Sequence, residues 1–428
     1  MANESSEQSD IVQSSQLVSW PKVAAVSAMV AFSLPTFVTG IELYSALSVM
    51  DTLLAAIIGC FILTCIGATI GTIGVKTRMS SYLLVRIAFG ERGAALVNIA
   101  FAISLVGWFG INIDLFSNAV QQLLLSTLDI SVSIWPIEVV AGVLMMTTTL
   151  YGFKAINILS SALVPIIAAI TFYMVFTTSQ TLSFQEFLEL PKDIHLSLSD
   201  GIAAIVGTII IGAIILPDIT RFSRQTIGGA QTAFWSYQVV QLLVLLVAAM
   251  AAAAFTETDV LQLLLKVGLG LLAFIVVIAG SWVLNSLNLY SAVLSVTATF
   301  SQWQPKLVTL ILGVFGIIAA SLNLLDYFIT FLSVLTAIFV PVAGVIVVDY
   351  FYHAHLYSGD TLKTNGLYNP AAIIAWFIGA SYAAADILFL LPSVSGIQVI
   401  DSLCLTALIY WATQLYFQFT SPSKQEDN

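Results

Sequence analysis

Two apolar segments of this chain are interrupted by proline and glycine, and they occupy corresponding positions in its two halves. The first interruption lies within 32–40 (FSLPTFVTG) and the second within 207–217 (GTIIIGAIILP). In lipid every backbone N–H and C=O group must be satisfied inside the protein, so a broken helix is tolerated only where it is buried or lines a cavity. A matched pair of broken helices is typical of secondary transporters, in which the freed backbone groups bind the solute or the ion.

The composition predicts an all-α polytopic membrane protein. Hydrophobic residues make up 59% of the 428 residues and charged residues only 8%, and the mean hydropathy is +1.01. Soluble domains carry about 25% charged residues. Twelve apolar stretches are long enough to cross about 30 Å of hydrocarbon, and they cover 23–47, 52–74, 94–126, 136–152, 158–178, 199–216, 232–255, 264–299, 306–322, 328–350, 371–392 and 398–420.

The distribution of Lys and Arg predicts the orientation in the membrane. The polar, acidic start of the chain predicts no cleavable signal peptide. With a cytoplasmic amino terminus, only Lys192 and Lys266 of the thirteen basic residues lie outside. Cytoplasmic loops are enriched in Lys and Arg, so we expect a multi-pass protein of the plasma (inner) membrane with both termini in the cytoplasm.

The order of the segments predicts the architecture. Breaks in the first and sixth helices indicate two repeats of five helices, and an odd number of crossings inverts the second repeat relative to the first. The predicted division is a cytoplasmic tail over 1–21, a first repeat over 22–180, a second over 198–350, helices 11 and 12 over 351–420, and a tail over 421–428.

Several motifs resemble one transporter family. They are GWFG at 107–110, VGT at 206–208, DITRF at 218–222, and the stretch 331–350, which includes PVAGVIVVDY. Over about 21–350 the chain is similar to the cytosine/purine/uracil/thiamine/allantoin permeases, the nucleobase–cation symporters, and most of all to their bacterial cytosine-transporting members. The resemblance implies twelve helices, a leucine-transporter-like fold, and alternating access driven by an ion gradient.

Trp108 and Asn112 are the first candidate substrate residues. Their i, i+4 spacing places them on one face of a helix. An indole suits stacking on a flat ring, and an amide suits hydrogen bonds at the ring edge. In the family this tryptophan stacks on the nucleobase. The alternative is that Trp108 only packs in the core and Asn112 makes a hydrogen bond between helices.

Further candidates follow from the two breaks and the resemblance. We expect Thr208 and Ile209 to lie where the sixth helix is broken, with their backbone groups free for the ligand. Asn285 matches a family amide on the eighth helix, although a buried asparagine can also be structural. Ser33 and Phe37, within the first break, complete the predicted substrate site.

Departures from the family pattern leave the solute and the ion open. Ile209 replaces a second aromatic ring, and Leu105 replaces a glutamine, which should change the base that fits, since sites built on hydrogen bonds discriminate strongly. Val283 and Leu284 stand where a sodium site of this fold uses two hydroxyl groups. Ser281 or Ser286 would take the place of these hydroxyl groups only if the helix were rotated.

Glu42 and Asp114 are the candidates for proton coupling. Intramembrane carboxylates without a basic partner are costly and are functional hypotheses. Glu42, predicted in the first turn of the outer half-helix, is either a coupling or substrate residue or a solvated group at the mouth. Asp114 shares a face with Gly107, Gly110 and Asn118, so it is either a coupling residue or a structural group in a close helix contact.

The remaining motifs carry little chemistry. Asp218 and Arg221, at i, i+3, predict an ion pair or gate at the cytoplasmic end of the sixth helix. The three histidines, His195, His353 and His355, lie in loops. We find no phosphate-binding loop and no nucleophile–base arrangement, so neither an enzyme, a catalytic residue, a metal site, a cofactor nor a nucleic-acid partner is expected.

These features together predict a monomeric importer of a nucleobase or similar flat heterocycle, coupled to H⁺ or Na⁺. An alternative substrate is a hydroxymethylpyrimidine-like thiamine precursor or another small heterocycle. An intramembrane enzyme would need a nucleophile–base pair or metal cluster in the membrane. A non-transporting sensor would share the same sequence features, and only a transport assay separates it from a carrier.

Overall fold

A computed structural model of the chain describes residues 12–150, 153–190, 195–300, 302–357, 366–388 and 390–420. Within these residues the regular structure is helical, and one isolated parallel bridge joins Val18 to Ser223. The fold is therefore built from helix packing, as the apolar composition predicts.

The described part of the first half contains eight α-helices, preceded by a short 3-10 helix (Ser14–Gln16). They are α1 (Trp20–Ala31), α2 (Leu34–Ala46), α3 (Val49–Thr77), α4 (Ser81–Phe89), α5 (Ala94–Leu128), α6 (Ile134–Leu150), α7 (Phe153–Thr181) and α8 (Phe184–Leu188).

The second half begins with helices α9 to α13. They are α9 (Leu198–Ile214), α10 (Pro217–Thr220), α11 (Gly228–Ala233), α12 (Leu242–Phe255) and α13 (Val260–Lys266), with a π-helical segment (Phe234–Gln241) between α11 and α12. The last five are α14 (Leu271–Thr299), α15 (Pro305–Ala320), α16 (Phe328–Tyr352), α17 (Pro370–Ile387) and α18 (Gln398–Thr420).

Eight helical segments of the described chain are long and apolar enough to cross a membrane. Of the other predicted stretches, the first is divided between α1 and α2, the fourth and ninth are helices of 17 and 16 residues, and the fifth is a helix of 29 residues. Every predicted stretch therefore coincides with helical structure. The eight segments are Val49–Thr77, Ala94–Leu128, Leu198–Thr220, Gly228–Phe255, Leu271–Thr299, Leu324–Tyr352, Pro370–Ile387 and Gln398–Phe417.

The first predicted break is confirmed. Helix α1 ends at Ala31, Phe32 and Ser33 are non-helical, and α2 begins at Leu34 with Pro35 in its first turn. Proline has no N–H group and is accepted in a first turn, where that group has no partner within the helix. The proline therefore separates two half-helices in the middle of the first span.

The second break exists, but it lies later than predicted. Helix α9 continues through Thr208 and Ile209, and the chain leaves the helix only at Ile215 and Leu216, before Pro217. The prediction that Thr208 and Ile209 offer freed backbone groups is therefore wrong, because both residues lie inside a continuous helix. Only the side chains of these two residues, and not their backbone groups, are available to a ligand.

Gly207 explains why the break was misplaced. A Cβ atom at Gly207 would overlap the backbone carbonyl group of Leu332 in α16. The glycine lets two helices approach closely, and it does not interrupt α9. Small residues at helix contacts serve this purpose in membrane proteins.

Contacts between the two halves are reciprocal. Helix α3 packs along α9, α12 packs along α2, and α5 lies along α14 in the centre. An exchange of partners of this kind is what two inverted repeats produce. The division into a first repeat over 22–180 and a second over 198–350 stays a prediction that these contacts support.

Candidate functional site

Trp108 lies in the middle of α5 and is 6% exposed. Its ring makes edge-to-face contacts with two rings of α16, Phe328 (centroids 6.0 Å apart, interplanar angle 76°) and Phe331 (5.3 Å, 85°). Such contacts are favourable for aromatic rings. They hold the indole in one orientation between α5 and α16. The sequence pattern did not identify either phenylalanine as a neighbour of Trp108.

Asn112 lies one turn after Trp108 and is fully buried. Its Nδ2 donates a hydrogen bond to the Trp108 carbonyl oxygen at 2.8 Å, and its Oδ1 is buried with no hydrogen-bond partner in the part of the chain that the structure describes. A carbonyl oxygen only accepts hydrogen bonds, so the orientation of this amide is determined. The free group of Asn112 is an acceptor.

Asn285 on α14 repeats this arrangement from the opposite helix. Its Nδ2 donates to the Phe109 carbonyl oxygen at 2.9 Å and contacts Met145 Sδ at 3.0 Å. Its Oδ1 is also buried without a partner among the described residues. Asn112 and Asn285 thus bind successive carbonyl groups of α5, those of Trp108 and Phe109. The Phe109 and Met145 side chains belong to a second buried cluster, distinct from the one that contains Trp108.

Thr39 and Thr208 connect the two broken helices. Their hydroxyl groups are 3.0 Å apart, and each also bonds to a backbone carbonyl of its own helix, Pro35 at 2.8 Å and Ala204 at 3.0 Å. The two hydroxyl groups have two protons for these three contacts, so one of the three oxygen–oxygen contacts has no proton to form its hydrogen bond. Sequence reasoning did not identify Thr39, although its position one turn after Pro35 is a signal that points to the break.

The remaining predicted substrate residues line the same core. Phe37 is 3% and Ile209 is 7% exposed, and both belong to the buried cluster that contains Trp108. Ser33 is partly buried at the break, with its hydroxyl 3.1 Å from that of Thr36. The structure thus brings side chains from α2, α5 and α9 into one apolar region.

The two candidate coupling acids occupy different environments. Glu42 is half-buried in the third turn of α2, which begins at Leu34. Its predicted place in the first turn is therefore wrong, since the half-helix begins earlier, and stabilisation by the helix dipole is confined to the first turn. Asp114 is 5% exposed, and its Oδ1 accepts a hydrogen bond from Asn118 Nδ2 at 2.9 Å.

The face of α5 that carries Asp114 is a close helix contact. A Cβ atom at Gly107 would lie 2.7 Å from the Phe331 ring, and one at Gly110 would lie 3.0 Å from backbone atoms of Ala319 and Ala320. Asp114 therefore points toward the end of α15 and away from the Trp108 side. Its role in coupling stays a prediction.

Asp218 and Arg221 do not form the predicted ion pair. Asp218 accepts hydrogen bonds from the backbone N–H of Ser81 at 2.8 Å and from its hydroxyl at 2.9 Å, and no contact within 4.0 Å joins the two residues in the described part of the chain. The guanidinium group of Arg221 lies over the Phe222 ring at 5.1 Å. The carboxylate binds the start of α4 because the unpaired N–H groups there attract anions.

Ser281 and Ser286 are the two hydroxyl residues of α14 that are candidate ligands for sodium. Ser281 is fully buried, and its Oγ has no hydrogen-bond partner among the described residues. Ser286 donates to the Trp282 carbonyl oxygen at 2.9 Å. Val283 and Leu284 supply no side-chain oxygen, so among these four positions Ser281 has the hydroxyl group that is available to a cation.

Comparisons with known proteins find similar permeases. A family model described as a permease for cytosine/purines, uracil, thiamine and allantoin matches residues 13–412. Cytosine permease of Escherichia coli (strain K12) is 30% identical over 346 residues, which cover 80% of this chain and 80% of that protein. Hydantoin permease of Microbacterium maritypicum is 23% identical over 436 residues, covering 95% of this chain and 88% of that protein.

A solved structure confirms the fold class. The inward-facing conformation of Mhp1 superposes with a TM-score of 0.78 at 18% identity, covering 97% of this chain and 96% of that chain. The chain is therefore an all-helical, multi-span membrane protein with the leucine-transporter-like fold, as the paired breaks and the resemblance predicted.

Proposed function

We propose, from the premise that the chain belongs to the family of permeases for cytosine/purines, uracil, thiamine and allantoin, that it imports a nucleobase or a related flat heterocycle by cation symport. Membership of this family makes the chain a membrane transporter and not an enzyme. The solute and the ion are the parts of this proposal that need tests.

The observation that carries the proposal is the arrangement of Trp108, Asn112 and Asn285. A buried indole lies one turn from an amide, and both amides keep an unpaired acceptor oxygen. A buried acceptor without a partner costs about 1–3 kcal/mol, and a ligand that donates hydrogen bonds removes this cost. The favoured solute is therefore a planar ring with N–H donors at its edge.

Nucleobases and hydantoins have such donors. The permeases of known name that resemble this chain are named for cytosine and for hydantoin, and both compounds are flat rings with N–H groups. Ile209 is 7% exposed beside the site and offers an aliphatic surface where the family pattern has an aromatic ring. With isoleucine here, no second ring stacks on the solute. This favours the alternative solute, a pyrimidine with a hydroxymethyl substituent.

Transport requires that the site open in turn to each side of the membrane. Trp108, Thr208, Asn112 and Asn285 are each no more than 9% exposed, so the described conformation encloses the site. The breaks between α1 and α2 and between α9 and α10 divide two spans next to the site. We infer that the half-helices move separately during alternating access.

Two ions are candidates for coupling. A proton would bind Glu42 or Asp114, both of which lie in spanning helices without an ion-pair partner within 4.0 Å among the described residues. Sodium would need several oxygen ligands, as hard cations do, and Ser281 supplies one hydroxyl. The lack of oxygen at Val283 and Leu284 favours the proton.

The test is uptake of radiolabelled bases into proteoliposomes that contain the purified protein. We expect accumulation of one heterocycle when a pH gradient, acidic outside, is imposed, and we expect Glu42→Gln or Asp114→Asn to abolish accumulation against a gradient. Accumulation that follows a sodium gradient at equal pH would contradict proton coupling. Binding of a base without any flux would identify a sensor and refute the transport proposal.

A further inference from the structure

A groove lies between the ends of α3 and α16 and shares no residue with the Trp108 site. Its volume is about 260 Å³. Both helices end beside it, α3 at Thr77 and α16 at Tyr352. One wall is the face of α3 that carries Ala68, Thr69, Thr72 and Lys76, and the other is formed by Tyr350 and Phe351 of α16.

The α3 wall offers two donor groups that the described chain does not use. Residues 69, 72 and 76 are spaced i, i+3 and i+7, so they share one face of the helix. Lys76 is exposed in the last turn of α3 and forms no ion pair with the described residues. The Thr69 hydroxyl donates to the Cys65 carbonyl oxygen at 2.8 Å. That of Thr72 is partly buried and has no hydrogen bond among the described residues.

The α16 wall is aromatic. The rings of Tyr350 and Phe351 meet edge to face, with centroids 5.3 Å apart and an interplanar angle of 72°, and Phe351 is 70% exposed. Aromatic side chains are enriched where a bilayer meets water. This end of the groove therefore lies at the level of the lipid headgroups, and in the predicted topology it faces the cytoplasm.

The charge of the groove is positive. No acidic residue is among the described residues that line it. Asp349, which precedes Tyr350, is fully buried, and its carboxylate accepts hydrogen bonds from the hydroxyl groups of Tyr357 at 2.6 Å and Tyr410 at 2.5 Å. This acid is occupied inside the protein, so the Lys76 ammonium group remains available to an anion.

Below the groove the same face of α3 is apolar and exposed. Leu54, Ile57 and Phe61 are 38%, 47% and 59% exposed, and Cys65, one turn after Phe61, is exposed as well. On a spanning helix such a face contacts the acyl chains of the bilayer. A molecule that fits both parts has an anionic head at Lys76 and an apolar tail along α3, which excludes a small free anion.

We propose that this groove binds one anionic phospholipid of the adjoining leaflet. Lys76 pairs with the phosphate group, Thr72 donates to a headgroup or ester oxygen, and an acyl chain lies along Ala68 and Phe61. Basic pockets between spanning helices on the cytoplasmic side suit the headgroups of anionic lipids. The bound lipid joins the ends of α3 and α16, and its binding does not depend on which solute or ion the protein transports.

Native mass spectrometry of the purified full-length protein tests this site. The protein in detergent is titrated with phosphatidylglycerol or with phosphatidylcholine of the same acyl chains. Lys76→Gln removes the charge, and Ala68→Phe fills the groove without changing the charge. The control is Lys306→Gln, because Lys306 is exposed in the first turn of α15, outside the groove, and is predicted on the same side of the membrane.

The wild type should bind one phosphatidylglycerol more tightly than phosphatidylcholine. In Lys76→Gln the Kd for phosphatidylglycerol should rise about fivefold, as expected for the loss of one basic group at an anionic lipid, and the Kd for phosphatidylcholine should not change. Ala68→Phe should weaken binding of both lipids, and the control should keep both wild-type values. Unfolding temperatures without lipid should be equal in the wild type and all variants, which shows that the fold is intact.

Three results would overturn the proposal. The first is an equal Kd for phosphatidylglycerol in the wild type and Lys76→Gln, or an equal loss in Lys76→Gln and the control. The second is displacement of the lipid by inorganic phosphate, which would indicate a site for a free anion. The third is a dimer that Ala68→Phe dissociates in the absence of any lipid preference, which would assign the groove to a second copy of the chain. None of these results bears on transport of the solute.

Discussion

The indole of Trp108 and the amides of Asn112 and Asn285 are the side chains that we propose recognise the solute. The indole provides a flat apolar surface, and the amides provide acceptors that no residue of the described chain satisfies. The proposed recognition depends on three side chains from α5 and α14, and the effect of each can be measured alone.

Replacing Trp108 by alanine should weaken ligand binding while the protein stays folded. Stacking of a base on an aromatic side chain contributes about 1–3 kcal/mol, which corresponds to a roughly five- to 150-fold increase in Kd. The measurement is a binding titration by calorimetry. Trp108→Phe is the matched control and should retain most of the affinity. Equal affinity of the alanine variant and the wild type would exclude stacking.

The residues of the site were partly predictable from sequence. The i, i+4 spacing of Trp108 and Asn112 places them on one face of a helix, whatever that helix packs against. The orientation of each amide was not predictable, because it depends on which backbone carbonyl the Nδ2 group meets. For Asn285 that carbonyl belongs to Phe109 on a different helix, far away in sequence.

Helices α9 and α16 illustrate how a sequence signal changes meaning once elements pack. Glycine and proline both suggest a break, and only Pro217 interrupts the sixth span. Gly207 instead gives two helices their closest approach. Sequence alone does not separate these uses of glycine, since the difference lies in a neighbour, Leu332, that is distant along the chain.

Gly207→Ala should therefore destabilise the protein. The added methyl group would overlap the Leu332 carbonyl group, and overpacking of this kind costs about 1–3 kcal/mol. The measurement is the thermal unfolding temperature of the purified protein in detergent. Gly212→Ala is the control, because its methyl group would meet no backbone atom outside its own helix within 4 Å and only one side-chain atom, Ile209 Cγ2 at 2.9 Å, and helix propensity would favour it. Equal unfolding temperatures for the two variants would contradict the close contact.

The contacts of Asp218 and Arg221 give a second prediction, which concerns how the end of the sixth span is held to α4. Asp218→Asn should lower the unfolding temperature, because hydrogen bonds to a charged group contribute about 1.5–3 kcal/mol and this carboxylate holds the start of α4 through Ser81. Arg221→Gln should cost less than about 1 kcal/mol, as expected for a partly exposed charge without a close acidic partner. A similar fall in the unfolding temperature of both variants would instead support the ion pair that the spacing predicted.

In the predicted topology of the whole molecule, all basic residues except Lys192 and Lys266 lie on one side of the membrane. The bias of Lys and Arg predicts that both termini are cytoplasmic, and it places the turn after α12 outside and the turn after α14 inside. Eight of the twelve predicted stretches coincide with described helices that are long and apolar enough to cross a membrane, because apolar length is a local property of the sequence. Two boundaries differ from the structure. The start of the eighth stretch is separated from α14 by Gly268 and Gly270, both with positive φ, and α17 ends at Ile387, before the end of the eleventh stretch.

Labelling of single cysteines tests this orientation. In a variant without Cys60, Cys65 and Cys404, a cysteine introduced by Thr258→Cys should react with a membrane-impermeant maleimide in intact cells. One introduced by Gln302→Cys should react only after the membrane is opened. Both positions are exposed, so accessibility of the residue is not limiting. The opposite pattern of labelling would reverse the orientation.

The central claim is that the buried site binds a flat ring with N–H donors. The most direct measurement is the thermal stability of the purified wild type with cytosine, uracil, adenine, guanine, hypoxanthine, allantoin, hydantoin and hydroxymethylpyrimidine, each with Na⁺ or choline at two pH values. A ligand that binds only the folded state stabilises it by about 2.7 kcal/mol at one hundred times its Kd. We expect one ring to raise the unfolding temperature and its N-methylated analogue to fail. No shift with any ring, or equal shifts with the methylated analogue, would contradict the claim.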